Sequence, residues 1–436
     1  TSPLCFALLL LGGPIPPAAC AAAPDTVATG LPSATAESVG MSTDRLARIR
    51  PAMQQYVDDD KVPFVISMIA RKGKVVHFEQ VGSMDMEAKK AVRPDTILRM
   101  YSQSKPVTGA AVMVLYEEGK FLLTDPVAKY LPALADLEVL VGPNGATEPA
   151  RPMTVKHLLT HTSGLSYSFM PGSVAKMYAE AGLSGTDSDT EIPSLEAYVE
   201  KLGEMPLVAQ PGTRWHYSIS MDVLGRLVEV WSGQTFDAFL QDRIFGPLGM
   251  QDTAFHVPDS KLDRFAANYA WSDDGLVLFD APVESPYRKK PNMPMGGSGL
   301  VSTASDYLRF AQMLASSGEL DGVRILSRKS VDLMMSDHLG PEFGANPINI
   351  GGSLGAAPPS GARGTGFGFT GSVVVDPTHT HSVGSAGSYS WGGAAYTQFW
   401  VDREEELVGI VMTQVMGCPH PLREKMVIFT YGAIAD

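Results

Sequence analysis

The sequence predicts an α+β fold: an antiparallel sheet built from N- and C-terminal strands and flanked by helices, with a mainly helical lobe inserted between them. Three observations carry that prediction. β-rich runs stand near both ends of the chain, and the segment between them reads as helices broken by Gly and Pro. At 436 residues, with 44% hydrophobic and 19% charged, the chain can bury a large interior. The predicted organisation is a tail over 1–30, an α/β domain from 31–100 together with 300–436, and a mainly helical domain over 101–299. The active site is expected between the two domains.

The first residues, "TSPLCFALLLLGGPIPPAACAAAPDTVATG", read as an export signal. An apolar run from Phe6 to Leu11 is followed by turn residues and then by small residues from Ala18 to Ala23. The start lacks Met and a basic region, so it reads as truncated. The apolar run is far shorter than the roughly 20 residues that span a bilayer, so no stable membrane insertion is expected. The expected location is periplasmic or secreted. Lipidation at Cys20 is the alternative, although Pro17 stands where a lipobox usually has Leu. The other cysteines are Cys5 and Cys418, and after processing only Cys418 would remain, which leaves no internal disulfide.

Residues 42–58 give a helix with Ser42 as N-cap and Pro51 kinking or dividing it. "VPFVISMIARKGKVVHFEQVG" gives a hairpin turning at Arg71 to Lys74. Helices follow at 105–118, 154–160, 194–203, 221–232 and 305–317. The Gly- and Pro-rich stretch 340–371 is expected to be a long surface loop. A second hairpin pairs "GAAYTQFWVD" with "LVGIVMTQ" across a charged turn, Arg403 to Glu406, and "PLREKMVIFTYGAIAD" closes the chain as a helix.

A net charge of −13 with no basic block argues against nucleic acid as a partner. His379 and His381 in "PTHTH" read as a polar strand end, and no HExxH or paired CxxC implies a metal or another cofactor. Oligomeric state is not legible.

The chemistry concentrates at "SQSK". Ser102 and Lys105 are three residues apart, so on a helix the amine reaches the hydroxyl. A serine hydroxyl needs an adjacent base, and lysine becomes one when burial lowers its pKa. The apolar helix after Lys105 supplies that setting, and its start aims backbone N–H groups at a developing oxyanion. Ser104 either orients Lys105 or caps the helix. A second S-x-x-K, Ser173 to Lys176, follows a Pro-Gly turn and reads as the cap of a surface helix. Ser353 in "GGSLG" matches a nucleophile elbow in letters but lacks the strand before and the helix after it. His161 and His216 adjoin no nucleophile-like serine and read as helix-end histidines bonded to nearby backbone.

In order along the chain, "SQSKPVTGAAVM", "MTVKHLLTHTSGL", "PLVAQPGTRWHYSISMDVLGRLVE", "IFGPLGMQDTAF" and "GGSGLVSTASDYLRFAQML" resemble the serine β-lactamase and penicillin-binding-protein superfamily on its class C side. "WHYSISMDVLG" and "SYSWGGAAYTQFW" resemble in particular the family VIII carboxylesterases of that fold. The likeness spans about residues 42–431. It implies a β-lactamase/DD-peptidase-like architecture, with Ser102 as the acylated nucleophile, Lys105 as its base and Tyr217 as the proton shuttle. Tyr101, Tyr167 and Tyr389 also precede Ser, but only Tyr217 has the "PGTRW" turn before it and the "MDVLGRLVE" helix after it.

The resemblance also implies an oxyanion hole from the N–H groups of Ser102 and Ala394, and substrate contacts at Trp391, Gly392, Gly393 and Ile219. The two glycines are expected to let substrate lie close to the backbone. Trp391 and Gly392 replace the Lys and Thr that hold a β-lactam carboxylate, and Ile219 stands where lactamases carry Asn. These departures favour short, uncharged small-molecule esters over β-lactams. Slow β-lactam turnover, a DD-peptidase-type activity and acyl transfer remain open because the acylation machinery is shared. A non-catalytic binding module is the reading from another class.

Overall fold

The computed structural model describes residues 30–142, 145–183, 192–343, 364–380 and 382–436. The expected leader with Cys5 and Cys20, the Ser353 motif and His381 lie outside the described residues.

The strand Phe64–Arg71 (β1) is apolar at every position except Ser67 and Arg71, because all eight of its residues are buried. It pairs with Lys74–Asp85 (β2), which pairs in turn with Lys90–Ala91 (β3). From the other end of the chain come Thr365–Phe367 (β4), Ser372–Val374 (β5), Tyr389–Gly392 (β6), Gln398–Asp402 (β7) and Leu407–Met412 (β8). They form one eight-stranded sheet in the order β4-β5-β6-β7-β8-β1-β2-β3, with every neighbouring pair antiparallel. The two chain ends therefore meet inside the sheet, where Ile66 lies opposite Met412 and Arg71 opposite Leu407.

Side chains alternate across the pleat, so β1 feeds two cores. Ile66, Met68 and Ala70 join Ile410, Met412 and Phe399 under Ala304–Ala315. Val65 and Ile69 join Val411 and Trp400 under two further helices, Ile49–Asp58 (α1) and Leu422–Gly432. Removing a branched side chain from this double-sided strand leaves a cavity that the sheet cannot close. Ile66→Ala is expected to cost about 2–5 kcal/mol, read as a lower urea midpoint at an unchanged slope.

Pro51 does not divide α1. The break comes earlier, at Ala47–Arg48, after a short helix Thr43–Leu46 whose first turn is capped by Ser42 accepting from the Arg45 N–H. Pro51 lies in the first turn of α1, where its missing N–H removes no helical hydrogen bond.

The described part of 340–371 is also more ordered than its composition suggests. Pro341–Phe343 forms a single 3-10 turn, and Thr365–Phe367 is an edge strand rather than loop. Phe367 and Phe369 are fully buried, while Gly366 and Gly368 lie where a Cβ would meet Asp337 and the Met334 carbonyl. Gly366 and Gly368, which help to make this stretch look like loop, are there for close packing.

In the middle of the chain, Lys105–Glu117 (α2), Val155–Leu159 (α3) and Leu195–Leu202 (α4) all pack on Ser220–Ser232 (α5). The Ala304–Ala315 helix (α6) and the closing Leu422–Gly432 helix (α7) cover opposite faces of the sheet. Among the described residues no helix is long and apolar enough to cross a membrane.

Candidate active site

From Thr96 to Leu115 every residue is buried except Ser102. The chain enters through β-paired Leu98–Arg99, turns at Tyr101 with φ 45°, forms the 3-10 turn Tyr101–Ser104, and continues as α2. A tyrosine in the left-handed region is strained. That turn leaves Ser102 partly open while its neighbours stay in the core.

Three side chains converge on one oxygen region. Tyr217 donates its O–H to Ser102 Oγ at 2.6 Å, and Lys105 Nζ stands 3.1 Å from the same Oγ. Lys105 also donates to the Gly297 carbonyl at 2.7 Å and lies over the rings of Tyr217 and Tyr167, at 4.7 and 5.3 Å from their centroids. Burial withholds water from its ammonium and lowers its pKa well below the ordinary lysine range; the charge of Asp222 pulls weakly the other way. Burial has the opposite effect on Tyr217, whose phenol is held above its ordinary pKa despite the Ser102 hydrogen bond. The amine is thus the group prepared to lose its charge, and the phenol the one prepared to keep its proton.

The same face of α2 fixes the segment that receives Lys105. Ser104 Oγ accepts from the Leu300 N–H at 3.1 Å, and Thr108 donates to the Gly296 carbonyl at 2.7 Å. Ser104 is the N-cap residue of α2, but its hydroxyl makes no capping hydrogen bond and instead pins the "GGSGL" run. From the other side, Asp222 on α5 accepts from the Gly297 N–H at 2.8 Å, so Gly297 joins the carboxylate to the amine. Burial raises the Asp222 pKa, partly offset by that N–H and by Lys105.

Ala394 follows β6 and is partly exposed, as Ser102 is. A Cβ on Gly393 would overlap the Met100 carbonyl oxygen, so this backbone lies directly against the residues leading into Ser102. A Cβ on Gly392 would stand 2.8 Å from the Thr397 carbonyl oxygen. The missing side chains of both glycines thus admit protein rather than substrate, which corrects the reason expected for them.

Trp391 is buried, with its ring 5.8 Å from that of Tyr217 and 5.4 Å from that of Phe367. Ile219 has no exposed surface; an apolar side chain at this position sinks into the core, so it lines no open site.

Residues 49–428 match the family described as Beta-lactamase. The chain belongs to the Beta-lactamase family. It is 29% identical over 386 residues to Esterase EstB of Burkholderia gladioli, covering 84% of this chain and 90% of that protein. It is 30% identical over 384 residues to the Lovastatin esterase of Penicillium rubens, covering 83% and 91%. A solved structure, "EstCE1, a hydrolase with promiscuous acyltransferase activity", superposes with a TM-score of 0.73 at 25% identity, over 89% of this chain and 99% of that one. The likeness to these esterases identifies this Beta-lactamase family member as a serine hydrolase of the family VIII esterase type.

Other residues singled out in the sequence make no hydrogen bond to Ser102 or Lys105, although the His161 ring lies 5.0 Å from that of Tyr217. His161 is buried, with Nδ1 3.1 Å from Ser218 Oγ, and His216 Nε2 lies 3.0 Å from Ser166 Oγ. Both rings meet side-chain hydroxyls, while the His216 N–H donates to the His161 carbonyl at 2.8 Å and the His161 N–H to the Leu158 carbonyl at 3.3 Å; burial lowers both pKa values. Lys176 is exposed beside Glu180, and the cap of its helix is Gly172 rather than Ser173. His379 pairs with Asp376 on the surface, and the described residues contain no group of three metal-ligating side chains.

Sequence reasoning missed Tyr167, Asp222 and Gly297. Asp222 had a signal: it is the one acid among Met221, Val223 and Leu224 on a helix whose apolar residues face inward.

Proposed function

We propose that this serine hydrolase is a carboxylesterase that cleaves short-chain, uncharged esters through an acyl-enzyme on Ser102. The observation that carries the proposal is the single opening in a buried stretch, at Ser102, with Lys105 Nζ at 3.1 Å and Tyr217 OH at 2.6 Å. The neutral Lys105 amine takes the Ser102 proton as Oγ bonds the ester carbonyl carbon. The carbonyl oxygen becomes an oxyanion between the N–H groups of Ser102 and Ala394. As the C–O bond to the alcohol breaks, Tyr217 gives its proton to the departing alkoxide and regains one from the Lys105 ammonium. Water then gives a proton to Lys105 and attacks the acyl carbon. Collapse releases the acid, and the proton returns to Ser102 Oγ.

Trp391 and Gly392 present no cation to a β-lactam carboxylate, which supports an uncharged ester over a β-lactam. The esterase names of similar proteins support the same choice. Acyl transfer is the second reading, favoured by the promiscuous acyltransferase activity of EstCE1. The test compares p-nitrophenyl butyrate with nitrocefin, and repeats the ester assay with added primary alcohol. The expected result is a kcat/KM at least about 100-fold higher on the ester, with free butyrate as the main product. A higher kcat/KM on nitrocefin would overturn the esterase reading, and a predominant new ester would establish transfer.

A further inference from the structure

We propose that Arg423, on the closing helix, is a positioning residue that holds the Gly393–Ala394 peptide so that the Ala394 N–H faces the oxyanion. The inference rests on the acyl-enzyme reading above and adds to it a residue some 30 positions from the peptide it acts on.

A guanidinium nitrogen of Arg423 donates to the Gly393 carbonyl at 2.7 Å and to the Thr397 carbonyl at 3.0 Å. The Gly393 carbonyl belongs to the same peptide unit as the Ala394 N–H. In a planar trans peptide the two point in opposite directions, so fixing the carbonyl on Arg423 fixes the N–H away from it. The donor is also a cation. Drawing electron density toward the carbonyl oxygen makes the N–H across the peptide a better donor to a negative oxygen.

The turn itself needs this grip. Gly393 N–H donates to Thr397 O at 2.8 Å and Tyr396 N–H to Gly393 O at 3.0 Å, closing a tight turn in which Tyr396 adopts φ 70°. That conformation is unfavourable for a tyrosine and persists only where its surroundings enforce it. The guanidinium stacks on the Tyr396 ring at 4.1 Å, and the Tyr396 hydroxyl donates to the His420 carbonyl beside the same helix. One nitrogen meets both carbonyls, so a lysine ammonium keeps the charge and a donor there but loses the planar face that stacks on Tyr396.

The test measures kcat and KM for p-nitrophenyl butyrate, and the Ki of phenylboronic acid, which forms a tetrahedral adduct on an active serine. Wild type, Arg423→Gln and Arg423→Lys are compared, with active sites titrated by a fluorophosphonate. Losing alignment of one of two oxyanion donors predicts a fall in kcat of about 10–100-fold for Arg423→Gln, and less for Arg423→Lys. Boronate affinity should fall by a similar factor and KM should stay within about threefold. A lower melting temperature with kcat per titrated site unchanged, or a rise in KM alone, would overturn the proposal. If Arg423→Gln is insoluble, Arg423→Lys decides by the same comparison. Failure of the wild type to label at Ser102 would bring down the acyl-enzyme reading as well, whereas labelling at Ser102 with kcat retained in the variants would reject Arg423 alone.

Discussion

Ser102→Ala is expected to lower kcat for a p-nitrophenyl ester by about 10⁴–10⁶-fold, leaving only what an oxyanion site and binding supply. Fluorophosphonate labelling, read by intact mass, should vanish with it. Stability should barely move, because Ser102 is the only residue of its stretch that is not buried. Its replacement removes a hydroxyl from the opening without leaving a cavity in the core. The one cost is the lost partner of the buried Tyr217 O–H, about 1 kcal/mol. Persistent labelling on another serine would show that the nucleophile lies elsewhere.

Lys105→Met should cost about 10³–10⁴-fold in kcat, because the general base is gone while the nucleophile and the two N–H donors remain. The pH dependence separates this role from a structural one. Burial lowers the Lys105 pKa, so the amine becomes neutral, and competent as a base, at a pH below the ~10.4 of a free lysine. Wild-type kcat/KM should therefore rise with pH through a limb well below that value, and the variant should lose the limb. The methionine also leaves the buried Gly297 carbonyl without its donor, which costs about 1–3 kcal/mol in a urea melt. A variant that keeps the limb would mean that another group takes the Ser102 proton.

The sheet and the closeness of Ser102 and Lys105 were legible for one reason: each has a local signature. β1 is a continuous apolar run because both its faces are covered, and the Ser102–Lys105 spacing places two groups on one helical face before any tertiary contact exists. What was not legible depends on contacts between distant segments. Asp222 and Lys105 meet through Gly297, about 75 and 192 positions from them, and nothing near any of the three announces the others. Gly392 and Gly393 stand out in the sequence, but their close approach to Thr397 and Met100 is visible only in three dimensions. Phe367 and Phe369 form part of the core within a stretch whose glycines read as loop. Ile219 shows the converse error: expected among the substrate contacts, it has no exposed surface and lies in the core.

The pairing of β1 with β8 has a consequence in time as well as in space. During synthesis β1 emerges early, but its neighbour across the Ile66–Met412 register is made only after nearly all the rest of the chain has appeared. The nucleophile turn is complete long before the strand that carries Trp391 and the helix that carries Arg423 leave the ribosome. A partly made chain therefore holds a serine and a lysine but no fixed oxyanion peptide, and it must keep an open sheet edge soluble while it waits. The protein should gain its hydrolytic power abruptly, once the helix that carries Arg423 is in place, and chains halted short of that helix should be poor catalysts and ready substrates for proteolysis.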